Sequence, residues 1–388
     1  MNVITDKVYL DYAATTPVDP RVLEVMLPYF RQVFGNSSSV HSYGQQAESA
    51  LEEARLAVAS GLNCEPDEVI FTSCGSESDN LALRGTAFAR RGLTNADHIL
   101  ISPVEHHAVT RTAQQLARLH GFGVEYLPVD ESGKVDPAVV AERIKTTTAL
   151  VSVIYANNEI GTINPISEIG KICRERGVPL HTDAVQAAAY LPVDVQELNV
   201  DLLALGAHKF YGPKGVGALY IRKGTPIVPV LTGGGQESGL RAGTHNIPYI
   251  TGLAEAFRLT QSEREQRIAS LQPLRDRIIG RVLEEIPNTR LTGAIDQRLP
   301  NHASFVFQGV DGNTLLMLLD VEGYACSSGS ACKTGDPEPS GVLTALGLAR
   351  DWALGSLRVT LGATSTPAEV ESFLAVLPLV VERARLFQ

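Results

Sequence analysis

Between about residue 45 and residue 225 the chain alternates two kinds of hydrophobic pattern. The stretch "QQAESALEEARLAVASGL" spaces its apolar residues at helical intervals, whereas "EVIFTS", "HILIS", "GVEYLPV", "ALVSVIYA", "VPLHTD", "DLLALGA" and "GALYIR" are short, nearly continuous apolar runs. Such runs, mostly separated by amphipathic stretches such as 165–177, predict buried strands alternating with helices. Strands that are apolar on both faces belong to a parallel sheet covered by helices on each side. Near residue 250 the rhythm changes to a long helical tract, roughly 249–286, rich in Arg, Glu and Gln, which reads as a connector. After it, "ASFVFQ", "NTLLMLLDVEG" and "SLRVTLG" predict a smaller α+β region. A chain of 388 residues exceeds what one ordinary core serves, so two domains are expected.

Composition narrows the class of protein. With 44% hydrophobic and 20% charged residues the chain is of globular type, and a formal charge of −10 argues against nucleic acid as a main partner. No apolar run approaches the roughly 20 residues of a membrane helix, and the N-terminal "MNVITDKVYLDYAATT" lacks a targeting pattern. The five cysteines, Cys64, Cys74, Cys173, Cys326 and Cys332, are few and odd in number, which fits free thiols in a reducing compartment. A cytoplasmic protein is expected.

Sheets of this kind bind ligands at the carboxyl ends of their strands, and the loops there carry the candidate chemistry. "FTSCGSESDN" places Gly75 and Ser76 between a strand and a helix, where free backbone N–H groups and a hydroxyl suit a phosphate. Ser76 reads equally well as a helix cap. "HTDAVQ" and "GAHKFYGPKG" put Asp183 and Lys209 just past two further strands. A carboxylate and a lysine so placed can serve a heterocyclic aldehyde, the one holding the ring nitrogen protonated and the other forming a Schiff base; an ordinary ion pair is the plainer alternative. His106 and His107 follow "HILIS", where a flat imidazole can stack on a ring or move protons, with no zinc-type spacing around them. Asn157 and Asn158 tip another strand, "LRAGTHN" supplies Arg241, Thr244 and His245, and Arg358 sits in a strand-like run where it reads equally as a grip for a carboxylate or as an exposed strand residue.

Taken in order, "VYLDYAATTPVDP", "FGNSSSVHSYG", "VIFTSCGSESDN", "ANNEIG", "HTDAVQ", "HKFYGPKGVGALYIR", "GGGQESGLRAGT", "SSGSAC" and "SLRVTLG" resemble the NifS/IscS-type cysteine desulfurases nearly end to end. The resemblance implies a pyridoxal-phosphate enzyme of the aspartate-aminotransferase-like α/β fold, with a mostly parallel seven-stranded sheet. It implies a large cofactor-binding domain over 16–260, and a smaller α+β domain from 1–15 and 261–388 with a mobile cysteine loop at about 324–338. Lys209 would be the Schiff-base lysine and proton carrier, Asp183 the partner of the ring nitrogen, and His106 the stacked imidazole. Asn158 would contact the substrate carboxylate side and Gln186 the ring phenolate. Gly75, Ser76, His208 and Thr244 would hold the phosphate, Thr244 reaching in from the second subunit of a homodimer. Arg358 would bind the carboxylate of L-cysteine, and Cys332 would accept its sulfur as a persulfide for an acceptor such as an iron–sulfur scaffold. No resident metal is implied, although the cysteine matching Cys332 can ligate a transferred iron–sulfur cluster in some relatives.

The family pattern is broken at several positions. Gly206 stands where many relatives have serine, "GNSSS" replaces "GNPSS" at 35–39, and "RAGTHN" replaces "RSGTEN", bringing in His245. The loss of a phosphate hydroxyl at 206 is expected to weaken cofactor binding. The chain ends at "RARLFQ", short of the tail some relatives use for scaffold docking. Cys326 falls where relatives carry a small apolar residue and reads as a buried hydrophobe, or alternatively as a relay thiol. Other reactions on the same scaffold, by a selenocysteine lyase, cystine β-lyase or aminotransferase, compete with desulfuration, as does a sulfur carrier with a vestigial cofactor site. Fold alone does not choose among them.

Overall fold

All seven apolar runs become strands of a single sheet. The computed structural model describes residues 7–329 and 338–387. Its strands in chain order are β1 (Val8–Tyr9), β2 (Val69–Thr72), β3 (His98–Ile101), β4 (Gly123–Tyr126), β5 (Thr148–Ser152), β6 (Leu180–Asp183), β7 (Leu202–Gly206), β8 (Gly217–Ile221), β9 (Thr289–Leu291), β10 (His302–Phe307), β11 (Tyr324–Ala325) and β12 (Ser356–Thr360). The large sheet has the order β2-β8-β7-β6-β5-β3-β4. Its pairs are parallel except that β8 runs antiparallel to both β7 and β2. The reversal follows from chain length: only residues 207–216 separate β7 from β8, too few for the crossover of a dozen or more that a parallel neighbour needs. β2 is thereby parallel to β7, so the carboxyl ends of β2, β7, β6, β5 and β3 lie along one edge.

The later region forms a three-stranded antiparallel sheet, β12-β10-β9, and β1 pairs with β11 in parallel. The connector is one helix, Ile247–Glu285, that passes through Pro273 and packs along the helix Ser42–Leu62. A continuous apolar cluster that includes Leu10, Leu205, Phe257, Phe305 and Phe373 runs through both regions. No described helix is long and apolar enough to cross a membrane.

Candidate active site

Each strand on the shared edge delivers a side chain or backbone group to one cavity of about 250 Å³. β2 ends at Thr72 and the helix Gly75–Asn80 begins three residues later. Cys74, not Ser76, occupies the cap position, which leaves the exposed Ser76 hydroxyl without a capping role. A Cβ on Gly75 would lie 2.6 Å from a methyl of Val185, so only glycine lets this turn settle against the β6 loop. Gly206 stands directly beside it: a Cβ there would point to within 3.5 Å of the Gly75 amide nitrogen. The missing serine therefore borders the same anion cradle.

His106 precedes the helix His107–His120 and caps it, its Nδ1 accepting from the Ala108 N–H at 3.1 Å. The acceptor role puts the ring proton on Nε2, and one ligand atom each of His106, Asp79 and Asp183 falls within 4.8 Å of the others. Asp183 ends β6 and is buried. Burial pushes its carboxyl pKa up, against the opposing pull of His106, the Val185 N–H and Lys209. Behind it lies a cluster the motifs did not announce. Asp79 is driven well above the usual carboxylate range by burial and by Asp183, Glu105 and Cys74. Burial raises Glu105 to about 8 and lowers His181, whose Nε2 lies 3.4 Å from Asp79, to about 3. Neutral neighbours on that side leave Asp183 as the natural seat of the negative charge facing the cavity.

After β7, Lys209 turns its Nζ to the carbonyls of Ala13 and Ala14 at 2.6 and 2.7 Å. Burial and Arg358 lower its amine to about 8, with Asp183 and Asp11 opposing. His208 hydrogen-bonds Thr15 through Nδ1 and is held to about 4 by burial, Lys209 and Lys214, so it is a neutral N–H donor. Gln186 lines the cavity but directs its amide to the Ala13 carbonyl at 2.7 Å. Asn157 is a buried turn-former, bonding Val104, Glu159 and Ile160, whereas Asn158 reaches the cavity. Arg358, on β12, closes the opposite wall.

The structure thus brings together Gly75, Ser76, His106, Asn158, Asp183, Gln186, His208, Lys209 and Arg358. Thr244 is exposed and lies outside this cavity. Cys332 lies outside the described residues. Cys326 packs against the core, where burial raises its thiol pKa far above that of an exposed cysteine, the environment of an inert thiol. The cysteines Cys64, Cys74, Cys173 and Cys326 carry free thiols. Two departures from the family pattern meet: the Ser37 hydroxyl lies 2.9 Å from His245 Nδ1, and His245 Nε2 donates to Glu237 at 2.7 Å.

The donor set suits pyridoxal 5′-phosphate: a partly neutral lysine amine for its aldehyde, a buried carboxylate for its ring nitrogen, an imidazole at the cavity wall, and a glycine-lined helix start with a neutral histidine for its phosphate. The chain belongs to the class-V aminotransferases, whose family model matches residues 8–373. Within that family it is a NifS/IscS-type member. The cysteine desulfurase IscS of Dictyoglomus turgidum is 47% identical over 379 residues, spanning 98% of this chain and 95% of that protein. The IscS of Methanosarcina thermophila is 47% identical over 386 residues, 99% of this chain and 95% of that one. Among solved structures, a NifS-like protein superposes with a TM-score of 0.90 at 37% identity, covering 97% of this chain and all of that one. SspA in complex with cysteine does so with a TM-score of 0.79 at 38% identity, covering 91% and 98%.

Proposed function

We propose that this chain is a pyridoxal-phosphate-dependent cysteine desulfurase that converts L-cysteine to L-alanine and captures the sulfur on Cys332. One observation carries the reading: Lys209 and Asp183 stand at adjoining strand ends of a single cavity whose far wall is Arg358. Bound there, the cofactor supplies an electron sink that acidifies the substrate Cα–H. Lys209 contributes the amine that engages the aldehyde and afterwards carries the Cα proton. With the cofactor bound, Asp183 would place its carboxylate at the ring nitrogen and His106 would lie against the ring. Gly75, Ser76 and His208 would hold the phosphate, and Arg358 would take the substrate carboxylate in a charge-assisted pair.

The Cys332 thiolate attacks the substrate sulfur; the Cβ–S bond breaks with its electron pair left on the carbon side, and protons restore alanine. Cysteine plus enzyme thiol thus gives alanine plus enzyme persulfide, with atoms balanced. The persulfide then passes to an acceptor protein such as an iron–sulfur scaffold. We place the enzyme in the cytoplasm as a homodimer, on the strength of its free cysteines and of Thr244 lying outside its own subunit's cavity. Residues 16–260 are assigned to the cofactor domain and the remainder to a smaller one, with the boundary inside the unbroken helix Ile247–Glu285.

The test is product analysis with L-cysteine and a reductant. Wild type is expected to give alanine and sulfide; Cys332→Ala is expected to lose both while keeping bound-cofactor absorbance, and Lys209→Ala to lose turnover and the covalent link. Pyruvate and ammonia as main products would show β-elimination, and full activity in Cys332→Ala would remove that thiol from the mechanism.

A further inference from the structure

Arg358 does not stand alone in the cavity wall. Its side chain is only 9% exposed. Nη2 donates to Asp11 at 2.8 Å and Nη1 to the Asn158 carbonyl at 3.0 Å, while the buried Nε–H has no partner among the described residues. The second oxygen of Asp11 accepts from the Ser327 hydroxyl at 2.8 Å. Asp11 is itself anchored: it bridges to Thr360 on β12, and its carbonyl accepts from the Tyr9 hydroxyl at 3.0 Å. Arg358 lines the cavity and Asp11 stands behind it. A guanidinium is a rigid planar fork. Two of its three nitrogens are therefore pinned by groups that belong to the fold, and the third is a buried donor without a partner among the described residues.

We propose that Asp11 is a positioning residue that fixes the plane of Arg358, so that the guanidinium is held ready in the cavity wall for the substrate carboxylate. The inference rests on the reading of Arg358 as the carboxylate-binding group. Asp11 also compensates a buried cation while no substrate is bound, which otherwise carries a desolvation cost. Its influence extends to Lys209, whose amine pKa Arg358 lowers and Asp11 raises. Loss of the Asp11 charge thus leaves only Asp183 to oppose burial and Arg358, and moves the lysine titration to lower pH.

The experiment compares Asp11→Asn, Asp11→Ala, Arg358→Ala and the Asp11→Ala/Arg358→Ala double variant as holoenzymes, with KM, kcat and the pH profile of alanine formation from L-cysteine. Asp11→Ala is expected to raise KM about tenfold with kcat within about threefold, the signature of lost substrate binding rather than lost chemistry. Asp11→Asn, which keeps an oxygen for Nη2, should recover most of that KM yet shift the acid limb of the pH profile downward. In the Arg358→Ala background, removal of Asp11 should raise KM no further, as a group acting only through Arg358 requires. A wild-type KM in Asp11→Ala beside a raised KM in Arg358→Ala overturns the inference alone; a wild-type KM in Arg358→Ala overturns the carboxylate reading and the inference with it. If Asp11→Ala fails to hold cofactor, Asp11→Asn decides, and an unmoved pH profile in that variant overturns the proposal.

Discussion

Lys209 shows how much of the chemistry at this site is set by surroundings rather than by residue type. An exposed lysine is almost wholly protonated near neutrality, but burial and Arg358 bring this one to about 8. The neutral amine is the form that captures an aldehyde, so the rate of cofactor uptake by the apoprotein should climb through pH 8 and level off by about pH 9. Stopped-flow absorbance after mixing with pyridoxal phosphate measures it; a rise that continues to the ordinary lysine value would show that the burial has no effect. The folding linkage has the matching sign. The folded pKa lies below the unfolded one, so the apoprotein should gain stability as pH rises from 8 toward 10.5. Lys209 and Asp183 were legible in the sequence because each follows an apolar run in a recognisable motif. Asp11 and Asp79 were not, since their importance comes from what the fold sets beside them: Arg358 lies far along the chain from Asp11, and Asp79 becomes one of a buried acid group only when β6 arrives.

Among the elements, the segment from Gly233 to Asn246 carries an uncommon run of backbone conformation around a buried glutamate. Glu237, Ser238 and Gly239 adopt successive positive φ angles of 48°, 55° and 81°, the first two on non-glycine residues. Such backbone persists only when neighbours over-determine it, and here Glu237 is the anchor. Both of its oxygens accept from Arg55 at 2.9 Å, one also from the Phe71 N–H at 2.9 Å, and the other from His245. Burial pushes the Glu237 carboxyl up, but His245, Arg55 and that N–H outweigh it and hold the pKa at about 2. Arg55→Ala should therefore cost about 3–5 kcal/mol by leaving a buried charge uncompensated, and His245→Ala about 1–2 kcal/mol. Because the folded pKa is depressed, the stabilisation is complete above about pH 4.5 and is lost as pH falls toward 2. Urea midpoints of the holoenzyme at pH 7 and pH 4 test this; an Arg55→Ala protein within 1 kcal/mol of wild type would refute the anchor. Sequence reading saw only that Ser37 and His245 break the family pattern. That the two departures hydrogen-bond each other is visible only once residues 35–39 fold against this segment.

For the whole molecule, the pattern of apolar runs was enough to foresee the layered sheet and the long connector, because buried strands and amphipathic helices have distinct periods. It could not foresee the antiparallel β8, which connection length decides, nor that the N-terminal segment threads between the sheets. There Ala13 and Ala14 receive the Lys209 amine, Thr16 bonds the His208 carbonyl, and Asp11 meets β12. One cavity is thereby assembled from both ends of the chain, and the remaining proposed phosphate ligand, Thr244, stands outside it. A site completed by a second copy has a consequence that a self-contained site lacks. In a heterodimer of one Lys209→Ala subunit and one Thr244→Asp subunit, action of Thr244 across the interface gives one doubly impaired site and one intact site. Action within its own subunit gives two impaired sites. The two chains, co-expressed with different affinity tags and purified by both in turn, should show about half the alanine formation of the wild-type dimer, well above either parent homodimer. Activity no higher than the parents' would place Thr244 in its own subunit's chemistry or in none.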